Sequence, residues 1–310
     1  MASSRNRIAK LLSIRERAGK YKRTPSKADL ERLKDIWDTQ LKGFGQICEL
    51  IPIRVVTIVE VFLRHWIETL IDHGAPYVER ASNLKVDLKY DFAIARSLQG
   101  GSITLGQLIA HSLSLNRLDS CSSILSTLLG PDLFEAISNT RDLWRVRLEG
   151  EAIGPIITDM PWVRKTLSRL FEVRHILVHE FPEKPPHPPD EVDEFLDAST
   201  ALIYAVDEEL AFRLQGRYPM TQAEMTRDAG ARHQAAMAEL ETLCSEIEED
   251  TPEIHDVQRA WLVFKKAEAE RQTRRQLGGS IRPMIYSLAA EALTRGRISE
   301  LRDWLEHRAI

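Results

Sequence analysis

Apolar positions recur at helical spacing along nearly the whole chain, and no stretch alternates as a half-buried strand would. Residues 28–48 place Leu30, Leu33, Ile36, Trp37 and Leu41 on one stripe. Residues 53–72 are apolar over most of their circumference, as expected of a helix in the middle of a bundle. The stretch 75–101 shows no clear period, ends in Gly100-Gly101, and reads as irregular. Shorter helices are predicted at about 103–115, 119–129, 131–138 and 140–149. Pro161 suits the first turn of a helix that runs to His179. Five prolines in 182–190 then break the chain, and Asp190 is placed to cap a helix over 191–215. Gly216-Arg217-Tyr218-Pro219 predicts a boundary, followed by helices over 220–248, 253–275 and 282–307. An acidic turn (248–252) and the Leu277-Gly278-Gly279-Ser280 turn separate these three. The predicted class is all-α: a basic arm over 1–27, a helical bundle over 28–217 and a small three-helix domain over 218–310.

A length of 310 residues agrees with two domains. With 43% hydrophobic and 28% charged residues the chain is globular rather than disordered. The longest apolar stretch is interrupted by Glu60, Arg64 and His65, so no membrane partner is expected. The N-terminus is basic without an apolar core and does not read as a secretory signal. Three widely spaced cysteines (Cys48, Cys121, Cys244) exclude a disulfide framework and a four-cysteine zinc site, and favour a reducing, cytoplasmic setting. Residues 1–23 carry eight Lys/Arg against one Glu, a charge of +7, which leaves −11 for the rest of a chain whose total is −4. A basic arm of this kind suits a phosphate backbone, and equally a solvated tail.

The segment LSRLFEVRHILVHEFP (167–182) carries the most chemistry. On a helical wheel, Val163, Leu167, Leu170, Phe171, Leu177, Val178 and Phe181 all lie within about 60° of Arg174. A guanidinium on an apolar face needs an anion, because burying it alone costs several kcal/mol. Glu60, at the edge of the apolar arc of the 53–72 helix, is the internal candidate, and a phosphate is the external one. His175 and His179 fall together on the flank of the same helix. Their i, i+4 spacing suits a shared metal, but only Glu172 and Glu180 are local and the HExxH order is absent. No metal and no cofactor are expected. Walker, dinucleotide and nucleophile-elbow motifs are absent too.

The string RHILVH (174–179), an Arg, a polar residue, three more and a His near the end of a bundle helix, resembles the mark of the HEPN superfamily. The resemblance spans roughly residues 28–215. RDWLEH (302–307) has the same spacing, and Arg169/His175 and Arg227/His233 match looser ones. Only 174–179 adds a strongly apolar helix, a Pro-rich stop and an acid on a preceding apolar helix. The resemblance implies a metal-independent endoribonuclease, active as a homodimer, in a toxin or antiviral defence setting with a possible antitoxin. Its expected site is Arg174, His179, His175 and Glu60. RNA cleavage through the 2′-hydroxyl needs a proton shuttle, supplied by His179, and a cation for the charged phosphorane, supplied by Arg174. His175 is expected to orient the scissile phosphate or its partner histidine. The alternative is a non-catalytic HEPN-like dimerisation or RNA-binding scaffold, with Arg174 and Glu60 as a structural pair.

Three segments farther on, QAEMTRDAGARHQAAMAEL (222–240), QRAWLVFKKAEAE (258–270) and GGSIRPMIYSLAAEALTRGRISEL (278–301), resemble the lysozyme-inhibitor LprI family. That family is a small helical domain, usually exported and stapled by disulfides. Here Asp228, Ala269 and Ala289 stand where the resemblance places cysteines. The departure suits a reducing compartment and argues against periplasmic lysozyme inhibition; sensing a protein ligand and holding the oligomer are both open to this domain, as a regulatory or sensing module. Trp261, Met284 and Tyr286 are expected in its core. Trp144, in the basic RDLWRVRLEG (141–150), suits either RNA contact or an ordinary amphipathic helix.

Overall fold

The computed structural model describes residues 8–14, 24–42, 48–86, 92–100, 102–180, 182–248, 251, 253–274 and 278–308. Most of the basic arm, Gly101, Phe181, part of the acidic turn and Leu277 lie outside the described residues. The described residues are helical with no named strand, apart from one isolated bridge between Arg141 and Pro155. The chain divides into two compact units, Met1–Tyr218 and Pro219–Ile310.

The N-terminal unit contains α1 (8–14), α2 (Lys27–Ile36), α3 (Leu50–His73), α4 (Tyr77–Ala81), α5 (Phe92–Gln99) and α6 (Leu105–Ala110). It continues with α7 (Leu118–Leu129), α8 (Leu133–Ile137), α9 (Leu143–Glu149), α10 (Met160–His179) and α11 (Asp190–Gln215). The central helix is α3, which packs against α6, α10 and α11. Its Val55, Val56, Val59, Leu63, Ile67 and Leu70 are fully buried, so it is apolar all round for a packing reason. Indole N–H groups tie α11 into the bundle: Trp37 donates to Asp193 at 3.0 Å and Trp66 to Asp207 at 3.2 Å. At Gly106 the backbone of α6 lies directly on α3. A Cβ there would collide with the Glu68 carbonyl oxygen, while the Gly106 N–H donates to Asp72 at 2.8 Å.

Four expectations for this unit change, the first being the helix predicted at about 103–115, which spans only Leu105–Ala110. The stretch 75–101, read as irregular, holds the short helices α4 and α5. The predicted 28–48 helix ends its regular part at Ile36 and continues through a π-helical turn, Trp37–Leu41. Pro189, rather than Asp190, occupies the cap position of α11, and Asp190 begins the helix.

The C-terminal unit is a three-helix assembly of α12 (Gln222–Glu248), α13 (Ile254–Gln272) and α14 (Arg282–Arg308). Its packing is dominated by α12 against α14. Ala229, Ala236, Leu240, Leu243, Cys244 and Ile247 form the buried stripe of α12, met by Ala290, Ile298 and Leu301 of α14. Of the residues expected in the core, Trp261 is half-buried and packs against the core of this unit, while Met284 and Tyr286 are half-buried. Val257, Val263 and Phe264 on α13 are exposed.

Candidate functional site

The site is built on α10. Asp159 accepts a hydrogen bond from the Trp162 N–H at 2.9 Å, and Pro161 occupies the first turn, so the helix start is fixed by its own sequence. Leu167, Leu170, Phe171 and Val173 bury its middle in the core. After Val173 the helix leaves the core: Leu177 is half-buried and Val178 is 45% exposed. The Pro-rich stop is anchored by Arg169, whose guanidinium donates to the Pro186 carbonyl at 2.5 Å and pairs with Glu191 at 3.4 Å. His187 seals the anchor, buried edge-on against Phe195.

Arg174 sits at the point of emergence. Its side chain is 21% exposed, and Nη2 lies 3.9 Å from Oε1 of Glu60 on α3, whose side chain is 19% exposed. The predicted pair is therefore present, but as a long contact at the rim of the core and not as a locked interior pair. Burial raises the Glu60 carboxyl above its ordinary value, and the cations of Arg174 and Arg64 partly oppose that rise. Arg64, one turn beyond Glu60, has a buried Nε with no hydrogen-bond partner among the described residues. Sequence reading treated Arg64 only as a break in an apolar run. Its i+4 spacing from Glu60 was the signal that both line one face.

His175 and His179 are exposed, and their rings meet at 4.8 Å between centroids. The structure thus brings together Arg174 with Glu60, and His175 with His179. Along a straight helix, Arg174 and His179 point about 140° apart with an axial offset of about 7.5 Å. Cys121, near Glu60 and Arg64, is buried: burial first, then the Glu60 charge, push its thiol up to about 12. Among the described residues no three His, Cys, Asp or Glu side chains converge as a metal-binding set, and no helix is long and apolar enough to cross a membrane. Trp144 on α9 is 41% exposed, and neighbouring Arg145 pairs with Glu149 at 2.9 Å, as on an ordinary amphipathic helix.

A second polar cluster lies inside the C-terminal unit. Lys265 of α13 is 7% exposed, yet no carboxylate pairs with it among the described residues. Its Nζ lies 3.2 Å from Nε2 of His233 and 2.8 Å from the Met237 sulfur, with the Trp261 ring centroid at 5.6 Å. Burial lowers the ammonium below its ordinary value. Burial, and then the Lys265 charge, lower His233, with Glu291 acting in the opposite direction. Neutral His233 accepting from Lys265 is the protonation state that fits this contact.

Residues 215–301 match the family model described as Lysozyme inhibitor LprI, so the C-terminal unit is LprI-like. No curated protein and no solved structure matches the chain.

Proposed function

We propose that the N-terminal unit is a HEPN-type, metal-independent endoribonuclease, active as a homodimer in the cytoplasm, and that the LprI-like unit regulates or targets it by binding a protein ligand. The observation that carries the reading is the end of α10. A guanidinium held at the rim of the core by one long contact stands beside two exposed, touching imidazoles. A purely structural Arg–Glu pair gains from short, enclosed geometry. This one keeps donor capacity free for an incoming phosphate.

In the proposed reaction the 2′-oxygen attacks phosphorus as a base takes its proton. The P–O5′ bond then breaks, and an acid protonates the departing 5′-oxygen. The products are a 2′,3′-cyclic phosphate and a 5′-hydroxyl. His179 moves the proton, Arg174 stabilises the equatorial phosphorane oxygens, and His175 orients the phosphate or the neighbouring ring. Because one helix aims Arg174 and His179 apart, the reading requires two copies of α10 facing each other. Glu60 keeps Arg174 extended before RNA arrives. Toxicity to the host cell and a cognate antitoxin belong to the same reading.

The test compares wild type, Arg174→Ala and His179→Ala for RNA cleavage, with circular dichroism and sedimentation as controls. Cleavage lost in both folded, dimeric variants supports the enzyme. A strictly monomeric wild type that cuts no RNA, with or without the C-terminal unit, overturns it and favours the scaffold.

A further inference from the structure

Beside the histidines, a groove of about 720 Å³ separates α10 from the segment entering α7, lined among others by Asn116, Arg117, Lys165, Ser168 and His175. Of the α10 residues of this wall, Lys165, Ser168, Arg169, Glu172 and His175 fall on one helical stripe, with the buried Phe171 beside it, and the same stripe continues to His179. From Lys165 to His179 it rises about 21 Å, enough for several nucleotides in file.

The charges in the groove are unequal in availability. Arg169 is committed to Glu172 at 3.1 Å, to Glu191 and to the Pro186 carbonyl, so its charge and that of Glu172 offset each other. Arg117 and Lys165 are exposed and make no ion pair among the described residues, against one remaining acid, Asp119. One turn before Lys165, Trp162 is 36% exposed. Cations, amide and hydroxyl donors and a neighbouring aromatic are what an unpaired nucleic-acid strand uses, phosphates on the charges and bases on the rings.

We infer that this groove holds single-stranded RNA flanking the cleaved bond, with Arg117 and Lys165 as phosphate-binding residues that feed the strand toward His175. The inference rests on the ribonuclease reading for the direction of the strand, but its binding test does not need cleavage.

Binding of a fluorescent single-stranded RNA of about twelve nucleotides is measured against salt on full-length His179→Ala, with and without Arg117→Ala/Lys165→Ala. Loss of two phosphate contacts weakens binding roughly tenfold and makes the log–log salt slope shallower by about 1.4. Arg117→Lys/Lys165→Arg restores both. Unchanged affinity and slope in the double alanine variant overturn the groove, as does a variant that changes only the oligomeric state, which would make this face a subunit contact. Wild type that binds through the groove yet cuts nothing overturns the nuclease reading alone. Wild type that cuts RNA with groove-independent binding overturns the groove alone. Failure both to bind and to cut overturns both.

Discussion

Arg174 and Lys265 are both cations drawn into apolar surroundings, and the two units treat them in opposite ways. Arg174 has a carboxylate 3.9 Å away and a path to solvent, so its charge is shared and reachable. Lys265 is more deeply covered and has an imidazole, a thioether and the Trp261 ring as neighbours, with no carboxylate paired to it among the described residues. The guanidinium spreads its charge over a planar fork and is easily left half-hydrated, whereas an ammonium concentrates charge and answers burial by giving up its proton more readily. The first arrangement suits recognition of an anion from outside. The second makes the small unit sensitive to its own protonation.

The comparison breaks most sharply in activity. On the proposed ribonuclease reading, Arg174→Met is expected to reduce RNA cleavage by about 100-fold or more in single-turnover assays, while Lys265→Met leaves it unchanged. Equal cleavage by the two variants would remove the functional difference between the two cations. In stability the order reverses. Lys265→Met removes a buried charge without a counter-ion and is expected to raise the stability of the C-terminal unit by about 1–2 kcal/mol in urea unfolding. Glu60→Gln strips Arg174 of its partner. Because that side chain retains a route to water, the loss is expected to stay near 1 kcal/mol, and a double-mutant cycle with Arg174→Met should return a coupling of similar size. The smallest effect is in pH. His233 binds its proton below the ordinary 6.5 in the folded unit. Between that lowered value and 6.5 the unfolded chain holds a proton that the folded unit lacks, so stability rises with pH across this window and falls on acidification. His233→Gln should flatten the acid limb by less than about 1 kcal/mol in melts followed between pH 5 and 7.

The long helices were legible because each carries a full apolar stripe, and the all-α class followed from them. The short helices α6, α8 and α9 begin at Thr104, Asp132 and Asp142, whose side chains cap them, whereas α4 begins at Pro76 with no side-chain cap; α4 and α5, read as irregular, are held by contacts such as the burial of Tyr77 and Ile94. The π-helical turn after Ile36 left no mark in the apolar spacing. The wheel placed Arg174 correctly in angle but not in height. Angular position does not reveal that the core ends at Val173, so a residue expected deep in the apolar face stands at its rim. Glu60 was found as its partner because it was the acid bordering an apolar arc on the neighbouring long helix. The Lys265–His233 contact and the groove at Arg117 and Lys165 join residues from separate helices, and no single periodicity connects them.

The positions given over to Asp228 and Ala269 have a practical sequel. Asp228 reaches Arg232 at 3.5 Å, Ala269 is wholly enclosed, and the three cysteines of the chain are free and buried. A helical trio closed by side-chain fit instead of sulfur bridges has no covalent memory of its shape. Its melting curve will be the same with or without dithiothreitol, and it can open and close repeatedly without any thiol chemistry to repair.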